Sequence, residues 1–385
     1  MLSQEQFEFI KKNSLEDSRS LALKTHTLHK ESMGFLLMQI KQKQRVVKKL
    51  PSWHNNPRLL FANELSAEQC SSESTASFKS SLFSGKSMID LTGGLGIDCL
   101  AFSKTYTSCD YIEMNAEVSQ FAVHNFNEIG ANNINVICAD AVDFLKNSTK
   151  IYDLIYLDPD RRHNQARVYD FADSLPNVLE HLELLLSKTK QVLVKGSPML
   201  NLTVAKNQLK YVSKIWVISH KNECKEILFL LEQNADACTI EAIELETAHA
   251  FAMDFDKDET SIGLLTEPKT YLYDPFVGFR KAEMANQINK KFGTLATLAP
   301  SISTSDEYIN NFPGRCFKVL DKIAPTTKAL KQKNIKRANI ISRANSLDSN
   351  TLHSKLKLER GGDVFLIAMV HSKQKIELAI CEKVF

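Results

Sequence analysis

The stretch Met88-Ile-Asp90-Leu-Thr92-Gly93-Gly94-Leu-Gly96-Ile-Asp98 decides the fold. A short apolar run ends at Asp90, three glycines follow within four residues, and helix-compatible apolar sequence resumes at Ile97. The pattern predicts a strand, a tight turn and a helix. Glycines let the backbone of such a turn approach a ligand closely, and the start of a helix offers free N–H groups. We therefore expect a ligand-binding loop at this position.

Short apolar runs alternate with helix-period segments on either side of this loop. Strands are predicted near residues 88–91, 109–113, 134–138, 153–157 and 191–194. Such alternation is typical of a parallel sheet with helices on both faces, in which ligands bind at the carboxyl ends of the strands. Two later β-rich runs, 214–220 and 226–231, are joined by a short polar turn and predict a hairpin.

The 385 residues are too many for one compact core, and the pattern predicts four regions. They are an N-terminal helical segment (1–70), an α/β domain (71–270), a short segment (271–320) and a small α+β unit (321–385). Breaks near Pro51 and Pro57, and again between Pro268 and Pro275, guide these boundaries.

The composition predicts a cytoplasmic protein. No apolar run reaches the roughly 20 residues that span a bilayer, and the polar N-terminus lacks the apolar core of a signal peptide. The eight cysteines contain no C-x-x-C pair, which favours buried thiols over a zinc site or a disulfide framework. The histidines lack metal-ligand spacing. We expect no metal and no membrane partner, and the sequence leaves the oligomeric state open.

The net charge of +3 is unevenly distributed. Residues 271–385 carry 19 basic and 10 acidic residues, a net charge of +9, whereas residues 61–270 carry a net −12. Basic flanks around an acidic centre suit a protein whose outer parts hold a polyanion, and solvated helix faces produce the same pattern. The basic run Lys41–Lys49 has the same two interpretations.

Carboxylates follow the first three predicted strands in order. Asp90 ends the first strand, Glu113 ends the second, and Asp140 follows the third. A carboxylate at the Glu113 position can accept hydrogen bonds from ribose hydroxyls. One at the Asp140 position can accept from an adenine amino group. With the glycine loop, these residues predict a nucleoside-binding pocket.

This combination resembles the class I S-adenosylmethionine-dependent methyltransferases. Gly94-x-Gly96 matches their first motif, Glu113 the second and Asp140 the third. The resemblance implies a Rossmann-like seven-stranded sheet with a terminal hairpin and S-adenosyl-L-methionine as the cofactor. The cofactor contacts that it implies are Asp90, Thr92, Gly93, Gly94, Gly96, Glu113 and Asp140. A dinucleotide dehydrogenase shares the early residues but not the hairpin or the next motif.

The loop Asp158-Pro-Asp-Arg-Arg162 follows the fourth strand, where that family keeps its catalytic residues. Enzymes that methylate an exocyclic base amine carry an acid or amide, two prolines and an aromatic there. Asp158 and Pro159 fit, but Asp160 and Arg161 replace the second proline and the base-stacking aromatic. Arg161 and Arg162 are forked donors suited to RNA phosphates, or equally to ion pairs with Asp158 or Asp160.

A second resemblance is to the ribose 2′-O-methyltransferases that use a Lys-Asp-Lys-Glu tetrad. The matching residues are Lys79, Asp158, Lys195 and Glu226. A ribose hydroxyl is too weak an acid to attack unaided at neutral pH, and a lysine whose pKa is lowered by burial and a second ammonium can serve as its base. The acceptor therefore stays open between a base amine, a ribose oxygen and another atom.

The C-terminal unit resembles the THUMP-like domain of a group of bacterial class I methyltransferases. The segments that match this domain are 312–315, 336–340, 343–345 and 356–363, and the segments 49–53, 68–73, 90–94 and 158–162 match the rest of the same family. The resemblance implies a ferredoxin-like segment opening at residues 271–275. By analogy with THUMP domains it also implies binding of structured RNA, with Lys336, Arg337 and Arg343 as contacts.

The leading hypothesis is a methyltransferase that modifies rRNA or tRNA at a base amine or a ribose 2′-oxygen. Asp158 is expected to position the acceptor and Lys195 to act as the base. The rival hypotheses are a catalytically silent RNA-binding or assembly factor and a methyltransferase of small molecules or proteins. The intact glycine turn, Glu113 and Asp140 favour an enzyme over a scaffold.

Overall fold

The computed structural model describes residues 2–24, 32–161, 171–256, 265–299, 301–343, 348–370 and 376–384. The chain divides into two compact units. The first unit comprises Met1–Ile215 and Ile227–Ala237, and the second comprises Trp216–Glu226 and Cys238–Phe385. No helix among the described residues is long and apolar enough to cross a membrane.

The helices are α1 (Gln4–Lys12), α2 (Ser18–Lys24), α3 (Met33–Arg45), α4 (Pro51–Asn55), α5 (Glu64–Gln69), α6 (Glu73–Ser81), α7 (Ile97–Phe102), α8 (Ala116–Ile129), α9 (Ala141–Asn147), α10 (Leu182–Lys188), α11 (Leu202–Leu209), α12 (Val277–Lys281), α13 (Ala285–Phe292), α14 (Thr327–Gln332) and α15 (Ser349–Leu356).

The strands are β1 (Gly85–Asp90), β2 (Tyr106–Glu113), β3 (Ile134–Cys138), β4 (Leu154–Leu157), β5 (Asp160–Arg161), β6 (Ser174–Leu175), β7 (Val192–Gly196), β8 (Val212–His220), β9 (Glu223–Leu231), β10 (Thr239–Glu244), β11 (His249–Asp254), β12 (Tyr271–Pro275), β13 (Leu295–Ala296), β14 (Ser303–Ser305), β15 (Gly314–Ile323), β16 (Arg337–Ile341), β17 (Glu359–Val370) and β18 (Ile376–Lys383).

The larger sheet confirms the predicted fold. Its nine described strands run in the order β11-β10-β8-β9-β7-β4-β1-β2-β3. Strands β1 to β4 and β7 are parallel, and β9 is antiparallel to β7. The part from β3 to β8 is the predicted seven-stranded Rossmann-like sheet with its terminal hairpin. The antiparallel pair β10 and β11 adds two strands that the sequence reading did not anticipate.

Strand register brings the predicted site residues to one edge of this sheet. Asp90 pairs with Tyr111 of β2 and with Tyr156 of β4, two residues before Asp158. Glu113 pairs with Cys138 at the end of β3. Because parallel strands end at the same edge, the polar residues after them meet there.

Side chains of α3 and α8 hold the extended chain at residues 56–62. Gln39 donates to Phe61 O at 2.7 Å and accepts from Phe61 N at 2.9 Å. Asn125 likewise donates to Leu60 O at 2.8 Å and accepts from Leu60 N at 2.9 Å. These paired bonds satisfy the buried backbone of a segment that belongs to no sheet, and they connect α3 and α8 through that segment within the first unit.

The basic run Lys41–Lys49 is largely committed to contacts within the first unit. Lys41 pairs with Glu64 at 2.8 Å, and Arg45 pairs with Glu68 at 2.5 Å. Lys43 is buried and donates to three backbone carbonyls, those of Trp53, Asn56 and Leu59. The local structure therefore favours the interpretation of this run as a helix face over a nucleic-acid contact.

The second unit contains the small α+β architecture predicted for the C-terminus. Its described sheet runs β13-β14-β12-β15-β18-β17-β16. The pairing of β16 with β17 is parallel and shifts register between Ala338 and Asn339, where Gly361 and Gly362 adopt φ values of +96° and +82°. Arg337 packs against this glycine bulge. Two short helices, α12 and α13, follow β12 in the chain.

Candidate active site

The three glycines of the 90–98 loop have different roles. A Cβ on Gly93 would lie 2.3 Å from Tyr111 Cζ, and one on Gly96 would lie 2.5 Å from Phe126 Cζ, so these two glycines allow the loop to pack on β2 and α8. Gly94 has φ +54° and faces open space, its nearest neighbour being Thr92 O at 3.8 Å. Gly94 therefore keeps a cavity free.

That cavity has a volume of about 490 Å³ and is lined by the carboxyl ends of β1 to β4. Glu113 accepts from Gly94 N at 3.0 Å and from Asn115 N at 2.7 Å, which fixes the carboxylate beside the glycine loop. Asp140 caps α9 through Oδ1 and is exposed. The volume lies in the range of small-molecule sites, and the carboxylates match those predicted to hold a nucleoside.

Asp90 is 1% exposed and lines the same cavity. Its Oδ1 accepts from Thr92 N at 3.0 Å and from Thr92 Oγ1 at 3.3 Å. Burial raises the pKa of the Asp90 carboxyl to about 7, and the nearby charges of Asp98 and Asp158 act in the same direction. The site thus contains an acid that titrates near neutrality.

Three of the predicted tetrad residues belong to one hydrogen-bonded network. Lys195 Nζ lies 2.5 Å from Asp158 Oδ2 and 3.3 Å from Ser71 Oγ. Lys79 Nζ, which is fully buried, lies 2.9 Å from the same Ser71 oxygen. Ser71 therefore bridges the two ammonium groups, and Thr92 Oγ1 accepts from Asp158 N at 2.7 Å to hold the acidic end against the glycine loop.

Asp98, which the sequence analysis does not name as a site residue, is the buried carboxylate of this network. Its carboxylate lies 3.0 Å from Lys79 Nζ and accepts from Ser71 Oγ and Tyr156 OH, each at 2.7 Å. Burial by itself would raise the pKa of Asp98, but Lys79 and Lys195 lower it overall. The sequence signal that could have identified Asp98 is its position directly after the glycine turn. In the structure it supplies a negative charge close to Lys79 and Lys195.

The structure gives less information on Glu226, the fourth residue of the predicted tetrad, and on Arg161 and Arg162. Glu226 lies in β9, is 2% exposed and precedes Ile227, which pairs with Gly196 next to Lys195. Arg161 lies in β5 opposite Ser174. Arg162 falls outside the described residues. The roles proposed for these three residues stay predictions.

The predicted RNA contacts of the second unit differ in exposure. Lys336 and Arg337 are exposed, and Arg337 Nε donates to Arg360 O at 2.7 Å. Arg343 is partly buried and forms a bidentate pair with Asp274, at 3.1 and 2.7 Å. Arg343 thus binds a buried carboxylate through two of its nitrogens, whereas Arg337 uses its Nε on a backbone carbonyl.

No group of three or more His, Cys, Asp or Glu side chains within the described residues is arranged to hold a metal ion. The described cysteines are free thiols, most of them buried.

Comparisons with known proteins agree with this architecture. The family model described as "THUMP domain-like" matches residues 314–383. A crystal structure from Porphyromonas gingivalis W83, described as that of a candidate methyltransferase, aligns over 100% of both chains with 28% identity and a TM-score of 0.86. None of the curated proteins matches this chain.

Two other solved structures overlap only in part. An rRNA methylase from Streptococcus thermophilus has 12% identity and a TM-score of 0.32, covering 41% of this chain and 93% of its own. A candidate methyltransferase from Streptococcus mutans in complex with SAH has 12% identity and a TM-score of 0.31, covering 41% and 94%. At these scores neither bears on function. The full-length match and the family model together identify this chain as a protein of methyltransferase fold with a C-terminal THUMP-like domain.

Proposed function

We propose that this protein is an S-adenosylmethionine-dependent methyltransferase that modifies RNA at a base amine or a ribose 2′-oxygen. The observation that carries the proposal is the position of the Lys195–Asp158 pair. Asp158 lines the cavity formed by the glycine loop, and Lys195 is bound directly to it. A nucleoside pocket and a proton-handling pair thus adjoin one another.

The cavity residues fit the proposed cofactor. In this proposal Glu113 accepts hydrogen bonds from the ribose hydroxyls, and Asp140 accepts one from the adenine amino group. Gly94 leaves room where a side chain would enter the cavity, and Asp90 supplies a carboxylate for a cationic ligand. When bound, S-adenosyl-L-methionine supplies an electrophilic methyl group on a sulfonium.

The members of the lysine–aspartate network differ in exposure, and we propose a different role for each. The side chain of Asp158 is 34% exposed, that of Lys195 is 13% exposed, and that of Lys79 is fully buried. Asp158 is therefore the residue that meets the acceptor, either by accepting an amine hydrogen or by orienting a hydroxyl. Lys195 lies behind it as the candidate base for a ribose oxygen. Lys79 touches neither substrate and acts as a positioning residue through Ser71 and Asp98.

RNA as the acceptor is supported by the THUMP-like domain and by the net charge of +9 over residues 271–385. Lys336 and Arg337 are the exposed candidates for phosphate contacts. We expect Lys336→Gln to weaken RNA binding. The dependence of binding on salt concentration should also fall, because a protein that makes one phosphate contact fewer releases fewer counterions when it binds. Lys104→Gln, in the exposed turn after α7 in the first unit, removes the same charge and is the control.

Calorimetry with S-adenosylmethionine tests the cofactor half of the proposal. We expect the wild type to bind and Glu113→Ala to bind much more weakly, while Glu117→Ala on the exposed start of α8 binds like the wild type. Absence of binding to the folded wild type would leave the scaffold hypothesis as the better account.

A further inference from the structure

Three arginines of the second unit converge on one buried carboxylate. Asp274, in β12, is 1% exposed. Arg343 contacts both of its oxygens, Arg280 Nη1 lies 3.0 Å from Oδ1, and Arg315 Nη2 lies 2.5 Å from Oδ2. No second carboxylate among the described residues forms an ion pair with these arginines. The cluster therefore carries two positive charges in excess.

Hydrogen-bond donors also exceed acceptors in this cluster. Three guanidinium groups carry about 15 N–H donors against the roughly four acceptor sites of one carboxylate. Arg280 additionally donates to Pro275 O. The Nε of Arg315 is buried and has no acceptor among the described residues. Unpaired buried donors are unfavourable, so the donors and the charge both call for a further anion.

The strands hold this arrangement in a fixed geometry. Register places Arg315 directly opposite Asp274. The preceding residue is Gly314, where a Cβ would lie 2.4 Å from Asp274 O. Glycine is therefore required for β15 to approach β12 this closely, and the arginine is positioned before any ligand arrives.

The guanidinium groups reach solvent although the carboxylate does not. The side chains of Arg315 and Arg343 are 26% and 25% exposed, that of Arg280 is 15% exposed, and that of Asp274 is fully buried. Burial lowers the pKa of Arg280 to about 10; Asp274 opposes this shift, whereas the charges of Arg343 and Arg315 add to it. One carboxylate does not neutralise this cluster.

We propose that Arg280, Arg315 and Arg343 form a phosphate-binding site whose floor is Asp274. Guanidinium groups bind phosphate oxygens through paired N–H donors, and a phosphate dianion balances two excess charges. A phosphodiester of RNA offers the same oxygens to the guanidinium groups and, with its single charge, balances one of the two. The RNA source rests on the proposed function, whereas the site itself does not.

The test is a titration of the full-length protein with inorganic phosphate at constant ionic strength, observed through the arginine Nε–H NMR signals. We expect a small set of these signals to shift saturably. Arg315→Gln should weaken phosphate binding about tenfold, the loss of one charge-assisted contact. Lys318→Gln, three residues along β15 and exposed, removes the same charge and should bind like the wild type.

A second titration separates the two sources of phosphate. If the ligand is an RNA phosphodiester, an RNA oligonucleotide shifts the same signals at lower concentration than phosphate, and an uncharged methylphosphonate analogue does not. Preference for inorganic phosphate over RNA assigns a small-molecule phosphate. Should Arg315→Gln fail to fold, Arg315→Lys keeps the charge, loses the fork and is expected to bind severalfold more weakly.

Absence of saturable shifts in the wild type would overturn the proposed site, as would an equal loss of affinity in Lys318→Gln or unchanged binding in Arg315→Lys. Such a failure would leave methyl transfer unaffected. Conversely, failure of the methyltransferase proposal would not alter binding of inorganic phosphate at this cluster.

Discussion

Lys195 Nζ lies 2.5 Å from Asp158 Oδ2, and Asp158 is the more exposed partner of the pair. An acceptor that enters the cavity therefore meets the carboxylate before the ammonium. Because Ser71 connects Lys195 to Lys79, the pair is the outer end of a network that extends into the core. This arrangement separates residues that would handle the acceptor from residues that hold them in place.

Replacing Lys195 tests the role of the outer end. If the acceptor is a ribose oxygen, we expect Lys195→Ala to lower the rate of methyl transfer by about 10²–10⁴, the usual contribution of a general base. Affinity for S-adenosylmethionine should stay close to that of the wild type. Lys190 is exposed and lies just before β7, the strand that contains Lys195. Lys190→Ala is therefore the matched control in single-turnover assays. A minor loss of rate in Lys195→Ala would refute the lysine-base route and leave Asp158 acting alone on an amine.

Replacing Lys79 tests the inner end. Lys79→Met leaves the buried Asp98 without its nearest ammonium, and breaking a buried pair costs about 3–5 kcal/mol of unfolding free energy. The double variant Lys79→Met/Asp98→Asn removes both charges and should lose much less than the two single changes added together. Urea unfolding followed by circular dichroism gives the cycle. Additive losses would show that Lys79 and Asp98 act independently.

Two neighbouring glycines should give opposite phenotypes. Gly93→Ala places a Cβ against the buried Tyr111 ring and should destabilise the fold. Gly94→Ala meets open space, so its cost is limited to the roughly 1–2 kcal/mol of a left-handed conformation. We expect Gly94→Ala to unfold near the wild-type midpoint yet to bind S-adenosylmethionine more than about tenfold more weakly, as measured by calorimetry. Unaltered affinity would place the cofactor elsewhere.

The pKa of Asp90 makes both stability and cofactor binding depend on pH. The folded value of about 7 is above the ordinary value of 3.8, so the native state holds a proton that the unfolded state releases. Its contribution to stability is full below pH 4 and is lost as pH rises through 7. The free energy of unfolding of Asp90→Asn should therefore fall less between pH 5 and pH 8 than that of the wild type. A parallel decline in both proteins would contradict this assignment.

Ionisation of Asp90 lowers the stability of the fold but should raise the affinity for the cofactor. A cationic ligand favours the ionised carboxylate, so affinity for S-adenosylmethionine should rise between pH 6 and pH 8 in the wild type and change less in Asp90→Asn. Calorimetry in buffers of different ionisation enthalpy should detect proton release on binding at pH 6.5. If the wild type releases no proton on binding, ionisation of Asp90 is not coupled to binding of the cofactor, and this prediction is wrong.

The sequence predicted the sheet, and it predicted that the glycine turn, Glu113 and Asp140 meet at one edge of that sheet, because both depend on local patterns. The glycine turn, Glu113 and Asp140 follow strands at fixed points, and strand order brings them together. Asp98 could not be ranked from sequence, because its importance arises from Lys79 on α6 and Tyr156 on β4, which are distant in the chain. Likewise, the bond between Arg343 and Asp274 could not be predicted, because Asp274 lies in β12 and Arg343 follows β16, with β15, β18 and β17 between these two strands.

The most direct measurement is transfer of isotope-labelled methyl groups from S-adenosylmethionine to RNA from cells that lack the gene, followed by mass spectrometry of the nucleosides. We predict label in one modified nucleoside with the wild-type protein and none with Asp158→Ala. The position of the label, on a base or on a ribose, identifies the acceptor. Wild-type protein that binds the cofactor but labels no nucleoside would contradict the proposal that it modifies RNA.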